Sequence, residues 1–127
     1  MYASESIEDY LENILILSQR LPVVRSVDVA TEMNFKKSSI SVAVKKLKEL
    51  EYIQVSDAGY ITLTPEGNRI AEAVYERHRF LSGWLMDLGV SEETALSDAC
   101  RLEHIISAES YAAIKAYVAK YSDKSNS

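Results

Sequence analysis

Cysteine occurs once in these 127 residues, proline twice, histidine twice and glycine four times. The lone cysteine, Cys100, forms no internal disulfide, so covalent cross-links do not hold this small chain together. So little proline and glycine beside 47% hydrophobic residues excludes a collagen-like or disordered chain. No apolar run approaches the roughly 20 residues that span a bilayer. Met1-Tyr2-Ala3-Ser4-Glu5 has neither the basic start nor the apolar stretch of a signal peptide, so a cytoplasmic protein with no membrane partner is expected. A net charge of −5 argues against a generally cationic nucleic-acid coat. The length allows one domain or two small lobes sharing a core and excludes a two-domain enzyme of ordinary size. With no Gly-rich phosphate loop, no separate general base and no large substrate domain, neither catalysis nor an organic substrate is expected.

What is present is largely helical. Ile7, Leu11, Ile14, Leu15 and Ser18 recur at helical spacing after Ser4 and Ser6, either a candidate N-cap, which predicts a first helix over 6–20 ended by Leu21-Pro22. Ser26 is the expected cap of a short second helix carrying Val27, Val29, Ala30 and Met33, and Asn34 tolerates the left-handed turn that follows. A third helix is predicted from about Lys37 to Leu50, with Ile40, Val44, Leu47 and Leu50 on one stripe. Tyr52 to Val55 and Tyr60 to Leu63 are β-prone runs around the turn-forming Ser56-Asp57-Ala58-Gly59, hence a hairpin. Thr64-Pro65 opens a fourth helix to about Leu88, stopped by Gly89. Ser91 caps a fifth through about Ile106, and Ser107 a sixth through about Tyr121. The fold class is therefore mainly α. A winged helix-turn-helix with a two-stranded wing occupies 1–64, a helical domain 65–121 and a loose polar tail 122–127.

Charge is distributed unevenly. Between Asn34 and Leu50, Lys36, Lys37, Lys45, Lys46 and Lys48 face a single acid, Glu49, in a chain that is otherwise acidic. On a winged helix-turn-helix this puts a basic, serine-rich face on the helix that enters a major groove, while Ile40, Val44 and Leu47 hold that helix to the core.

A second cluster carries different chemistry. At about 100° per residue, Cys100, Glu103 and His104 fall within one sector of the fifth helix. A thiolate, a carboxylate and an imidazole converging this way are ligands for a first-row divalent metal. Asp9 and Glu12 stand one turn apart on the first helix, and His78 is the other histidine of the chain. Bland readings exist for each: core cysteine, surface Glu-His pair, acids favoured near a helix N-terminus.

Four segments decide between them. Glu8-Asp9-Tyr10-Leu11-Glu12, Leu63-Thr64-Pro65-Glu66-Gly67, Arg77-His78-Arg79 and Asp98 to Ser107 resemble, in that order, the metal-dependent repressors of the diphtheria toxin repressor and manganese transport regulator family, over roughly residues 6–118. The resemblance implies a homodimeric transcription factor whose binding to double-stranded operator DNA requires Fe(II) or Mn(II). Its iron-responsive branch matches Cys100, Glu103 and His104 but has methionine at the position of Asp9. Its manganese branch matches Asp9, Glu12 and His78 but has glutamate at the position of Cys100. The chain is thus a hybrid, and the thiolate tilts preference toward Fe(II), since Mn(II) binds most weakly at a mixed site. It also resembles the short branch, without an SH3-like domain. The family's DNA-touching positions correspond to Lys36, Lys37, Ser38, Ser39, Ser41 and Val42, with Lys45 on the same lysine face. Proline is frequent in the family where Lys37 stands.

The expectation is a metal-activated repressor controlling metal homeostasis, its ion held by Asp9, Glu12, His78, Cys100, Glu103 and His104 between the DNA-binding and dimerisation domains. The alternative is a winged-helix regulator controlled by an organic ligand or by cysteine oxidation.

Overall fold

Hydrophobic periodicity sets the elements. The computed structural model describes the backbone of residues 3–125 and the side chains of residues 7–121. Among these residues the order is α1 (Ala3–Arg20), α2 (Ser26–Met33), α3 (Lys37–Glu49), β1 (Ile53–Val55), β2 (Ile61–Leu63), α4 (Pro65–Asp87), α5 (Glu92–Ile105) and α6 (Ala108–Ser125). The chain divides into two compact units, the first reaching to Tyr75 and the second beginning at Glu76, so the division falls within α4.

In the first unit, α1 buries Leu11, Ile14, Leu15 and, beyond the expected stripe, Leu17. Ser4 and Ser6 fall inside α1 rather than at its cap, because the helix already begins at Ala3. The cap of α2 is likewise one residue earlier than expected: Arg25, not Ser26, takes the extended capping conformation. The Arg25 N–H donates to Asp28 Oδ2 at 2.9 Å, so an acid in the first turn reaches back and sets the boundary. Asn34 adopts the left-handed conformation (φ 57°, ψ 44°), and the Phe35 N–H closes onto Ala30 O at 3.0 Å. This is the tight turn between the two helices of the motif.

On α3, Ile40 and Leu47 are buried and Val44 is half-buried, but Leu50 is 40% exposed, against expectation. The cause lies one residue on, where Glu51 takes a left-handed φ of 63°. The Glu51 N–H donates to Lys48 O and the Tyr52 N–H to Leu47 O, both at 3.0 Å, which ends the helix and turns Leu50 outward. Val27 on α2 is also exposed rather than core.

The strands pair antiparallel with Ile53 opposite Leu63 and Val55 opposite Ile61. Gly59 supplies the positive φ (85°) of the turn, its N–H donating to Ser56 O at 2.9 Å. Ile53 and Ile61 point into the core, and the Ile61 N–H donates to Val24 O, tying the hairpin to the segment before α2. Thr64 then does three things. Its N–H donates to Tyr52 O, its hydroxyl donates to Glu51 O at 2.7 Å, and its Oγ1 accepts the Gly67 N–H at 3.1 Å, capping α4. A Cβ on Gly67 would lie 2.0 Å from Tyr52 O, so only glycine permits this approach of α4 to the hairpin.

The second unit has a smaller apolar interior, with Leu81, Ala95 and Ala99 buried and Glu103 buried beside them in α5. Gly89 (φ 100°) ends α4 as expected. Ser91 Oγ accepts the Thr94 N–H at 3.4 Å and Ser107 Oγ the Ser110 N–H at 3.0 Å, so both predicted caps are in place. The backbone of α6 continues to Ser125, past the expected end at Tyr121, and Asn126 and Ser127 of the expected tail lie outside the described residues. Met86, Leu88, Leu96 and Ile105 are exposed. Among the described residues no helix is long and apolar enough to cross a membrane.

Candidate metal centre and nucleic-acid interface

The seven residues expected to meet DNA, Lys36, Lys37, Ser38, Ser39, Ser41, Val42 and Lys45, are all exposed, and Val42 is 71% so. Ile40 and Leu47 face the core from the same helix. The helix thus divides its apolar and polar residues as a groove-reading helix must. Arg25, just before α2, donates from Nη2 to the Tyr60 hydroxyl at 3.3 Å, with its guanidinium carbon 5.1 Å from the ring centre. The start of the second helix is thereby joined to the turn end of the hairpin by a contact that spacing gave no means to foresee.

Of the six expected metal donors, Asp9 and Glu12 lie one turn apart on α1 in the first unit, Asp9 half-buried and Glu12 6% exposed. The Asp9 carbonyl accepts the Asn13 side-chain N–H at 2.8 Å. In the second unit His78, Glu103 and His104 come together. The Glu103 side chain is fully buried, with His78 Nδ1 3.1 Å from Oε2 and His104 Nε2 3.3 Å from Oε1. The His104 side chain is 1% exposed and that of His78 23%. Cys100 is exposed one turn before Glu103.

The Glu103 carboxylate tests whether this group suits a cation. A buried carboxylate without hydrogen bonds is costly. Neither Glu103 oxygen is in hydrogen-bond geometry, although an imidazole nitrogen stands close to each. Structural ion pairs align N–H with oxygen, whereas here neither Glu103 oxygen receives such an aligned bond. Donors adjacent in an octahedral shell, with metal bonds of about 2.1 Å, are about 3 Å apart. The observed 3.1 and 3.3 Å fit. A hard carboxylate flanked by two borderline imidazoles is a donor set for a first-row divalent ion.

One residue here was quoted in a motif without a role. Arg77 Nη1 donates to Glu103 O (3.4 Å) and Ile106 O (3.3 Å), and its guanidinium carbon lies 5.2 Å from the centre of the Tyr111 ring. Its signal in the sequence was adjacency to His78, visible but uninterpretable without the end of α5.

A winged helix-turn-helix with a basic reading helix, followed by a helical unit built round a buried carboxylate-imidazole group, defines a DNA-binding regulator with a metal-binding domain. Comparison with known proteins gives the family. The iron dependent repressor N-terminal DNA binding domain matches residues 3–61, and the iron dependent repressor metal binding and dimerisation domain matches residues 64–124. The chain belongs to this family of metal-dependent transcriptional repressors, the diphtheria toxin repressor and manganese transport regulator family. It is 35% identical over 123 residues to an uncharacterised HTH-type transcriptional regulator of Methanocaldococcus jannaschii, covering 95% of this chain and 98% of that one. To the transcriptional regulator MntR of Salmonella typhimurium it is 34% identical over 117 residues, 92% of this chain and 74% of the relative. Among solved structures, a manganese-dependent transcriptional repressor in complex with manganese aligns with a TM-score of 0.81 at 30% identity, covering 89% of this chain and 52% of that one. The chain thus spans about half the length of that solved relative.

Proposed function

We propose that this protein is a metal-activated transcriptional repressor that binds operator DNA as a homodimer when Fe(II) or Mn(II) is held by Asp9, Glu12, His78, Cys100, Glu103 and His104, and that it serves metal homeostasis in the cytoplasm. The observation that carries this reading is the Glu103 carboxylate, buried without a hydrogen bond between two imidazole nitrogens. On this reading residues 1–64 bind DNA and lend Asp9 and Glu12 to the ion, residues 65–121 supply the other ligands and dimerise, and 122–127 are a polar tail. The exposed Met86, Leu88, Leu96 and Ile105 offer the apolar surface that a dimer buries.

A bound divalent cation supplies concentrated positive charge and directional bonds to its ligands. The chain's residues do the rest. Three carboxylates directed to one point repel one another when nothing neutralises them. Asp9 and Glu12 belong to the DNA-binding half, so that repulsion loosens the reading helix relative to the dimer axis. A dimer that must meet two half-sites together then loses affinity in proportion to its competent fraction. Lys36, Lys37 and Lys45 neutralise phosphates, while Ser38, Ser39, Ser41 and Val42 meet base edges. Reciprocity requires operator DNA to tighten metal binding by the factor by which metal tightens DNA binding.

The test is DNA binding by metal-stripped protein, titrated with Mn(II) and, anaerobically, with Fe(II) against candidate promoter fragments. Binding that rises with metal and reverses on chelation is expected. Equal operator affinity with and without metal contradicts the proposal.

A further inference from the structure

Two consecutive residues of α4 hold the two ends of one residue of α5. His78 Nδ1 stands 3.1 Å from the Glu103 carboxylate, while Arg77 Nη1 donates to the main-chain oxygen of the same Glu103 at 3.4 Å and to Ile106 O at 3.3 Å. α5 ends at Ile105, so these carbonyls belong to the terminus where a helix runs out of its own donors and carries its negative dipole end. A guanidinium answers both needs, since it brings a permanent charge and a fork of donors able to meet two acceptors.

The guanidinium is itself held. Its carbon lies 5.2 Å from the centre of the Tyr111 ring on α6, and that ring meets Phe80 of α4 edge to face at 5.6 Å. Lys115 lies 5.4 Å from the same ring centre and pairs with Glu76 at 2.6 Å. Burial and the nearby Glu76 push the Tyr111 phenol above its ordinary pKa, so the ring stays neutral under the cation. One stretch of α4, from Glu76 to Phe80, thereby grips the end of α5 and the flank of α6.

From this geometry we infer that Arg77 is a positioning residue for the metal centre: it fixes the backbone of Glu103 from the helical turn that carries His78, and so presets the spacing of carboxylate and imidazole before an ion arrives. This rests on the proposed function, because it takes Glu103 and His78 as ligands. Glutamate has three side-chain torsions, and a backbone free to shift at a helix end would add to the disorder an ion must remove. Contacts of this outer kind raise metal affinity by about 10–100-fold.

Cobalt(II) is the probe, titrated into the metal-stripped full chain and read by its visible absorption, with thermal melting of the metal-free protein in parallel. Arg77→Met keeps an unbranched apolar stem and removes the guanidinium with both of its hydrogen bonds. Its Co(II) affinity should fall about 10–100-fold with a shifted absorption band. Arg77→Lys, which keeps charge without the fork, should fall several-fold, while Tyr111→Phe, which leaves the ring and both carbonyls in place, should bind within about twofold of the parent. Parental affinity and band position in Arg77→Met, alongside lost binding in Glu103→Ala, overturn the role of Arg77 and leave the centre standing. Parental affinity in Glu103→Ala overturns the centre itself and this inference with it. If Arg77→Met does not fold, Arg77→Lys decides, and an affinity equal to the parent overturns the inference.

Discussion

The two halves of this chain solve the problem of a small core in opposite ways. The first unit closes Leu11, Ile14, Leu17, Val29, Ile40, Leu47, Ile53, Ile61 and Ala71 into one apolar cluster and keeps outside it the lysines and serines proposed to meet DNA. The second has only a thin interior around Leu81, Ala95 and Ala99, places a carboxylate within it, and leaves Leu88 and Ile105 about two-thirds exposed. The first is a finished fold whose surface does the binding. The second carries buried charge and bare apolar surface, two costs that a cation and a second copy of the chain would relieve.

The largest expected effect breaks the second half alone. Glu103→Ala or His104→Ala should abolish metal-stimulated DNA binding, a loss of at least about 100-fold at saturating metal, while the metal-free protein stays folded and dimeric. Gel filtration, thermal melting and operator titration check this together. Metal stimulation that survives either change would remove that residue from the centre.

Next comes a change confined to the first half. Gly67→Ala puts a methyl group where Tyr52 O lies 2.0 Å away, so helix and hairpin must separate. Overpacking of this kind costs about 1–3 kcal/mol, and the rigid backbone acceptor puts this site at the upper end. Denaturant unfolding should report that loss, with Co(II) affinity of the folded protein unchanged. A fall in metal affinity as large as the fall in stability would show that the halves do not divide their tasks as described.

Smaller effects sharpen the comparison. Lys36→Ala and Lys37→Ala should each flatten the slope of log affinity against log salt by about 0.9, for every DNA sequence alike, since each phosphate contact releases roughly one counterion. An unchanged slope in both variants would move the groove-reading surface away from the start of α3. Smallest is the change in metal preference at Cys100. Cys100→Glu should favour Mn(II) over Co(II) and Zn(II) by several-fold relative to the parent, and Cys100→Ser should weaken the softer ions most. Competition titrations that leave the ranking unaltered in both variants would make Cys100 a surface residue only.

What could be foreseen follows a physical line. Local chemistry was legible: Thr64-Pro65, Ser91 and Ser107 start helices, and Asn34 and Gly59 take positive φ, because each depends on one or two neighbouring residues. Boundaries set by a reciprocal or non-glycine device were not. Asp28 moves the cap of α2 to Arg25, and Glu51 turns Leu50 out of the core without the glycine that usually marks such a stop. At the candidate centre, periodicity gave direction around α5 but not position along it. Cys100, Glu103 and His104 share a sector, yet the buried carboxylate and imidazole stand in the last turn, where His78 and Arg77 arrive, and Cys100 is exposed one turn earlier.

The central claim is that Glu103 is buried for an ion and not for the fold. Glu103→Leu tests it most directly, because it replaces the carboxylate with an apolar side chain of similar size. Thermal and denaturant unfolding of the metal-stripped parent and variant, each repeated with Mn(II) in large excess, gives the answer. Relieved of an unsatisfied buried carboxylate, the metal-free variant should be as stable as the parent or more so, by about 1–3 kcal/mol. Added metal should then stabilise the parent, by about 2.7 kcal/mol at a hundredfold excess over Kd, and leave the variant where it was. A metal-free variant less stable than the parent, stabilised by Mn(II) to the same extent, would contradict the account.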